Sequence, residues 1–212
     1  MDPREPFKIN CLISSNMITL EKAEIIGLLC AEGNYYDRRL SYWEHYKNCG
    51  KDYFKSNKRC VYIQFSNFNL DLLKRFQDLV FLEYAYLPNI NKDRVRICKR
   101  KIIKDLLNYS NYGCLNWKIP KEIMKNKGLS PSFLRGYFEG DGCASNFTFG
   151  SSNLKGLRQV QKVLFNLNID NSLYGPEIRK DFEPYYKVYI KKRSCNLFLK
   201  IVKPIYKLPK TL

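Results

Sequence analysis

"EIIGLLCAEG" (Glu24–Gly33) and "SFLRGYFEGDG" (Ser132–Gly142) are two short apolar runs in one chain. Each carries two small residues four apart, and each closes on an acid followed by glycine. Glycine inside a helix costs about 1 kcal/mol relative to alanine, so Gly27 and Gly136 need a reason. With Ala31 and Gly140 they form small-residue pairs at i and i+4, which let two helix backbones come very close. The simplest partner for one such helix is the other. Gly27, Ala31, Gly136 and Gly140 are then the helix interface, and the C-terminal ends of both helices lie side by side.

Glu32 and Asp141 occupy those last turns, where the helix macrodipole is already negative. Two neighbouring carboxylates in that setting repel and tend to hold a proton. A divalent cation removes the conflict, since hard ions such as Mg2+ take carboxylate, water and phosphate oxygens. A single copy of the motif would read as an exposed helix-end acid. Two copies, each with a matching block behind it, read as a site for metal-assisted phosphoryl hydrolysis.

The surroundings repeat as well. Thr19 is a fair N-cap for a helix running to Glu32, with Gly33 to end it. Ser130 can cap the second helix, with Pro131 at its first position, and that helix closes at Asp141. "CVYIQFSNFNLDLLKRFQDLVFLEY" in the first half and "NFTFGSSNLKGLRQVQKVLFNLNI" in the second each read as a strand followed by an amphipathic helix, with Phe65 matching Phe149, Asn69 matching Asn153 and Leu70 matching Leu154. "RVRICKRKIIKDLLNY" and "YKVYIKKRSCNLFLKIV" each read as a strand leading into a helix. The closing glycines, Gly33 and Gly142, lie 109 residues apart. Two copies are too few for a solenoid, so two related halves around a pseudo-twofold axis are expected: residues 1–112 with a loose arm at 1–16, a joining segment at 113–130 with a short helix near Lys121–Lys127, and residues 131–212.

The strands alternate. Val95 and Ile97 point one way and Arg94, Arg96 and Cys98 the other; Val188 and Ile190 oppose Lys187, Tyr189 and Lys191; Val61, Ile63 and Phe65 oppose Tyr62, Gln64 and Ser66. Each strand packs one face on helices and offers a basic, aromatic or amide face outward, which suits a DNA groove. The chain of 212 residues carries 37 Lys and Arg against 20 Asp and Glu, a net charge of +17, and such an excess favours a polyanionic partner. No apolar run of about 20 residues and no signal peptide is visible, so no membrane is expected. The eight cysteines are never closer than eleven residues and there is one histidine, His45. That spacing speaks against structural zinc. Several cysteines sit inside apolar runs, where a reduced thiol acts as a small core residue, which points to a reducing intracellular compartment. The abundance of Lys, Asn, Tyr and Ile fits an archaeal cytoplasm or an organelle.

"IIGLLCAEG" and "LRGYFEGDG" resemble the two signature helices of a LAGLIDADG homing endonuclease in its monomeric two-motif form, and the resemblance covers nearly the whole chain. It implies an α+β fold of two pseudo-symmetric αββαββα halves, a saddle whose antiparallel sheets straddle double-stranded DNA. It implies a monomer that cuts both strands of a long asymmetric target to leave staggered ends. Mg2+ or Mn2+ would support cleavage, and Ca2+ would bind without supporting it. The resemblance puts Glu32 and Asp141 on the metal, together with their preceding residues Ala31 and Gly140. It makes Lys191 a basic group near the scissile phosphate and Gln64 a candidate for holding water. Cys98 stands where the first half would carry its lysine, so Lys99 or Arg100 must substitute or the halves are catalytically unequal. Glu139 occupies an acidic position of the motif that is not the usual metal ligand.

The DNA-contacting set is then Arg38, Arg39, Arg59, Tyr62, Gln64, Arg94, Arg96 and Lys99 in the first half, and Asn146, Thr148, Lys187, Tyr189 and Lys191 in the second. The segment Tyr35–Arg59 is long and its counterpart between Gly142 and Phe147 very short, so the first half should reach further along DNA. The tail after Glu183, with eight basic residues and no acid, is expected to add phosphate contacts. The alternatives are a splicing cofactor that binds host intron RNA and a DNA-binding protein without catalysis. Both fit the basic surface, but neither needs the two acids.

Overall fold

The structure is a computed structural model and describes residues 17–208 apart from positions 47 and 179. The expected arm at 1–16 and the end of the basic tail lie outside the described residues. The first half runs α1 (Leu20–Glu32), β1 (Gly33–Tyr46), β2 (Lys51–Ser66), α2 (Leu70–Tyr84), β3 (Ile90–Asn91), β4 (Arg94–Ile97) and α3 (Arg100–Tyr109). A short α4 (Lys121–Lys125) follows in the joining segment. The second half runs α5 (Leu129–Asp141), β5 (Gly142–Cys143), β6 (Thr148–Ser151), α6 (Leu154–Asn166), β7 (Asn171–Glu177), β8 (Tyr185–Ile190) and, after one 3-10 turn, α7 (Cys195–Val202). The order αββαββα occurs twice, each time with a four-stranded antiparallel sheet: β1-β2-β4-β3 and β5-β6-β8-β7.

Helix α1 starts where Thr19 accepts the Lys22 N–H at 3.0 Å and ends at Gly33, whose N–H donates to the Leu29 carbonyl. It is buried on nearly every side, from Lys22 through Cys30, as befits a helix apolar all round. Its partner is α5. A Cβ on Gly27 would collide with the Phe133 carbonyl oxygen, one on Gly136 with the Glu24 carbonyl oxygen, and one on Gly140 with the Ala31 methyl. The two backbones therefore touch, and only residues without a side chain let them.

The start of α5 differs from the sequence reading. Ser130 lies inside the helix, not at its cap, and its hydroxyl donates back to the carbonyls of Ile123 and Asn126. The capping acceptor is Asn126, whose side-chain oxygen takes the N–H groups of Gly128 and Leu129. Asn69 and Asn153 cap α2 and α6 in matching positions.

Strand register repeats across the halves. Gly33 pairs with Phe65 and Gly142 with Phe149; Phe65 pairs with Val95 and Phe149 with Val188. These phenylalanines and valines are fully buried under the helices. The halves differ in their first hairpin. β1 and β2 have 14 and 16 residues, β5 and β6 only 2 and 4. Only Ile63–Ser66 of β2 reach β4, so the rest of β1 and β2 stands clear of the sheet as a two-stranded ribbon. Trp117 of the joining segment is buried against Tyr137, with ring centroids 5.0 Å apart, and its carbonyl accepts the Asn153 amide.

Candidate functional site

The centre of the molecule is the pair of helix ends. Glu32 closes α1 and Asp141 closes α5, and the backbone contact along the helices carries both carboxylates to one place. The Asp141 carboxyl is pushed up to about 7, by burial first and then by the Glu32 charge beside it, against an opposing pull from Lys207. Burial also raises Glu32, opposed by Lys207 and by the Asn67 amide, which donates to Glu32 Oε1 at 3.3 Å. Two acids that burial raises, one of them further by the charge of the other, lack cationic charge. The residues fit a divalent ion for that reason: paired carboxylates, carbonyls at two helix C-termini, and one amino-acid cation already drawn in.

That cation is Lys207. Its Nζ donates to the carbonyl oxygens of Gly140 at 2.5 Å and Gly142 at 2.8 Å. Burial lowers its proton affinity, while Asp141, Glu139 and Glu32 act to restore it. The tail carrying it is anchored by Glu139, a buried carboxylate that accepts backbone N–H groups from Ile205, from Tyr206 at 3.0 Å and from Lys207 at 3.2 Å. At Lys207 the basic tail therefore lies over the helix ends instead of reaching outward for phosphates. Glu139 is the acid that the motif reading set aside; its task is to hold the tail. Neither role shows in the sequence, because the contacts bridge 65 residues or more.

Around this centre the outward sheet faces carry the polar residues. In the first half Tyr36 and Tyr62 stack at 4.7 Å, with Arg38 over the Tyr36 ring at 5.4 Å and Arg96 over the Tyr62 ring at 4.7 Å. Arg96 Nε donates to Gln64 Oε1, and Gln64 Nε2 donates to the Ser66 hydroxyl, each at 2.8 Å. Gln64 is thus positioned, and nearly buried, by its own neighbours. Arg94 shares this face and pairs with Asp93. Arg39 and Arg59, a register pair, alternate to the other face, where Arg59 forks onto Asp37 at 2.7 and 2.8 Å. There Arg59 borders a groove with Tyr35, Arg100 and Lys104. These arginines face away from Tyr62 and Gln64 because each successive strand residue changes side.

In the second half Thr148, Ser172, Tyr174, Lys187 and Tyr189 share the outward face by register. Thr148 is nearly buried and donates to Asn146 at 2.8 Å in the turn before β6. Lys187 pairs with Glu177. Lys191 follows the end of β8 and lines a groove of about 400 Å³ with Ser172, Tyr174, Glu177 and Tyr189. The shared register, Val95 with Phe65 and Val188 with Phe149, makes Cys98 the counterpart of Lys191. Lys99, one residue on, sits 5.7 Å from the Tyr86 ring, and Arg100 lines the groove on the far face beside Arg59.

Residues 130–203 match the family model of the LAGLIDADG-like domain. Solved structures similar to this chain include mesophilic variants of the homing endonuclease I-DmoI, at 16% identity and a TM-score of 0.65 over 89% of this chain and 98% of that one. I-DmoI in complex with DNA and Mn matches at 16% identity and TM-score 0.64 over 88% and 97%. I-DmoI in complex with DNA and Ca matches at 17% and 0.65 over 92% and 94%. No curated protein sequence matches the chain. At such identities the likeness is one of fold: two halves, each with a four-stranded antiparallel sheet, hinged on one central helix pair.

Proposed function

On the premise that this chain carries a LAGLIDADG-like domain within the fold of the homing endonuclease I-DmoI, we propose that it is a divalent-metal-dependent endonuclease. It cuts both strands of a long, asymmetric DNA target. The observation that carries this reading is the convergence of Glu32 and Asp141 between two outward sheet faces rich in Arg, Lys and Tyr. DNA lying across the sheets would bring a phosphodiester of each strand to the helix ends.

Glu32 and Asp141 would hold the cation, with the Ala31 and Gly140 carbonyls adjacent. Once bound, it supplies an activated water and positive charge for the leaving oxygen. Asn67 fixes the Glu32 carboxylate through its amide. The Arg96–Gln64–Ser66 chain holds the Gln64 amide in one orientation on the first half's face. Lys191 offers an ammonium to phosphate on the second half's face, and Cys98 offers none on the first, so the two strands meet unequal sites. Mg2+ and Mn2+ are the ions expected to support cleavage. The intron-RNA alternative gains no observation of its own, and both acids are retained.

The test is cleavage of a pooled double-stranded DNA library by the full chain, with Mg2+ and then with EDTA. A discrete metal-dependent cut is the expected result, and tight binding without cleavage would contradict it. In the same assay Lys191→Met should slow cutting of one strand by roughly tenfold to a hundredfold, with little change in affinity; an unchanged rate would remove the role from Lys191.

A further inference from the structure

The last described turn of the chain places a cation where the two central acids lack one. Helix α7 is capped by Lys203, in the left-handed region at φ 52°, with its N–H on the Leu199 carbonyl. That turn sends residues 204–208 back over the helix ends. Pro204 is buried, and the Tyr206 hydroxyl reaches the Asp71 carbonyl of the first half at 3.3 Å. Glu139 grips the backbone of Ile205, Tyr206 and Lys207 with both carboxylate oxygens. So held, the tail delivers Lys207 Nζ to the Gly140 and Gly142 carbonyls, which flank Asp141 in sequence.

Gly140 O lies at the end of α5, where it has no further helical N–H to accept, and the Lys207 ammonium is its donor. An ammonium and a divalent ion cannot share it, because two positive centres at contact distance repel strongly in a partly dehydrated site. Resting on the metal-site reading of Glu32 and Asp141, we infer that Lys207 is a resident cation of the second-half position, tethered by Glu139, which a divalent ion must displace before it can bind Asp141. The first-half acid has a different neighbour, the neutral amide of Asn67. The two positions therefore fill unequally: Lys207 acts on Glu32 only through its charge, whereas its ammonium occupies the carbonyls on either side of Asp141, so the Asp141 side fills only at higher metal concentration.

The experiment is calorimetric titration of Ca2+ into the full, DNA-free chain. Lys207→Met should bind Ca2+ at least tenfold tighter at one of its sites, and adding Asp141→Asn to that variant should abolish the gain. Unchanged or weaker Ca2+ binding by Lys207→Met would overturn the inference. A second measurement needs no variant. Acetylation of Lys207 in the wild-type chain, followed by mass spectrometry, should be slow without metal and at least fivefold faster with saturating Ca2+. Equal rates would also overturn it. DNA cleavage is scored separately. A wild-type chain that cuts while Lys207→Met binds Ca2+ no better leaves the nuclease reading standing without the resident cation. Tighter Ca2+ binding in a chain that never cuts does the reverse.

Discussion

Asp141 is a buried carboxylic acid with a second acid beside it. Its carboxyl sits near 7, raised from an ordinary 3.8 by burial and by Glu32. In the unfolded chain it would ionise near its ordinary value, so between about pH 4 and 7 the folded protein binds the proton and the unfolded chain does not. Folding stability of the metal-free protein must then fall as pH rises through that window and level off above it. The predicted consequence is a melting temperature that drops by about 5 °C between pH 5 and 8 in EDTA. In Asp141→Asn that component of the slope disappears. A wild-type slope unchanged by the substitution would place the strain elsewhere. Mg2+ should restore the lost stability of the wild type by mass action and leave Asp141→Asn largely unaffected. The neighbouring Glu24 shows a different solution to a buried acid. It sits in the helix interface, 2% exposed, between Arg75 at 3.0 Å and Arg135 at 2.7 Å. Two guanidiniums from different halves neutralise it, and no spacing in the sequence announces that they do.

At the scale of elements, α1 and α5 decide the architecture because their backbones touch. Gly136→Val would force its side chain into the Glu24 carbonyl and should cost about 3 kcal/mol or more, read as a fall in the denaturation midpoint. A near-neutral result would mean that the helices do not pack in this way. This interface was legible in the sequence, since internal glycines four residues from another small residue have few other uses. So were the end of α1, the correspondence of Asn69 with Asn153 and the buried faces of β4 and β8, where apolar residues alternate cleanly. The start of α5 was less so: Ser130 followed by Pro131 has the form of a cap, yet Asn126 supplies the acceptor. The facing of Arg39 and Arg59 was hidden for a related reason. Much of Asn34–Cys60 is charged or aromatic on both sides, so nothing in its pattern marks the core face. Register alone, set by Gly33 opposite Phe65, settles it.

The whole molecule is a lopsided saddle. β1 spans 14 residues, about 45 Å at strand rise, while β5 spans 2. The ribbon carries exposed aromatics toward its tip, where Trp43 stands over Phe54 at 5.3 Å and Tyr46 over Tyr53 at 5.2 Å. If DNA follows the sheets, the first half should protect roughly a full helical turn more than the second. Hydroxyl-radical footprinting should show that asymmetry. Replacing residues 41–57 by a two-residue turn should remove the outer protection on one side only. Symmetric footprints before and after the deletion would contradict this reach. The docking of the tail belongs to the same scale. It depends on Glu139 meeting residues some 66 positions away, and composition marks those residues only as part of a basic terminus.

The most direct test of the account is to isolate the cleaved target of the wild-type chain and assay it with Mg2+ against Glu32→Gln and Asp141→Asn. The two-carboxylate centre predicts folded variants that retain much of their DNA affinity and lose double-strand cleavage by at least two to three orders of magnitude. Either variant cutting both strands at the wild-type rate would show that the chemistry is not done where the two helices end.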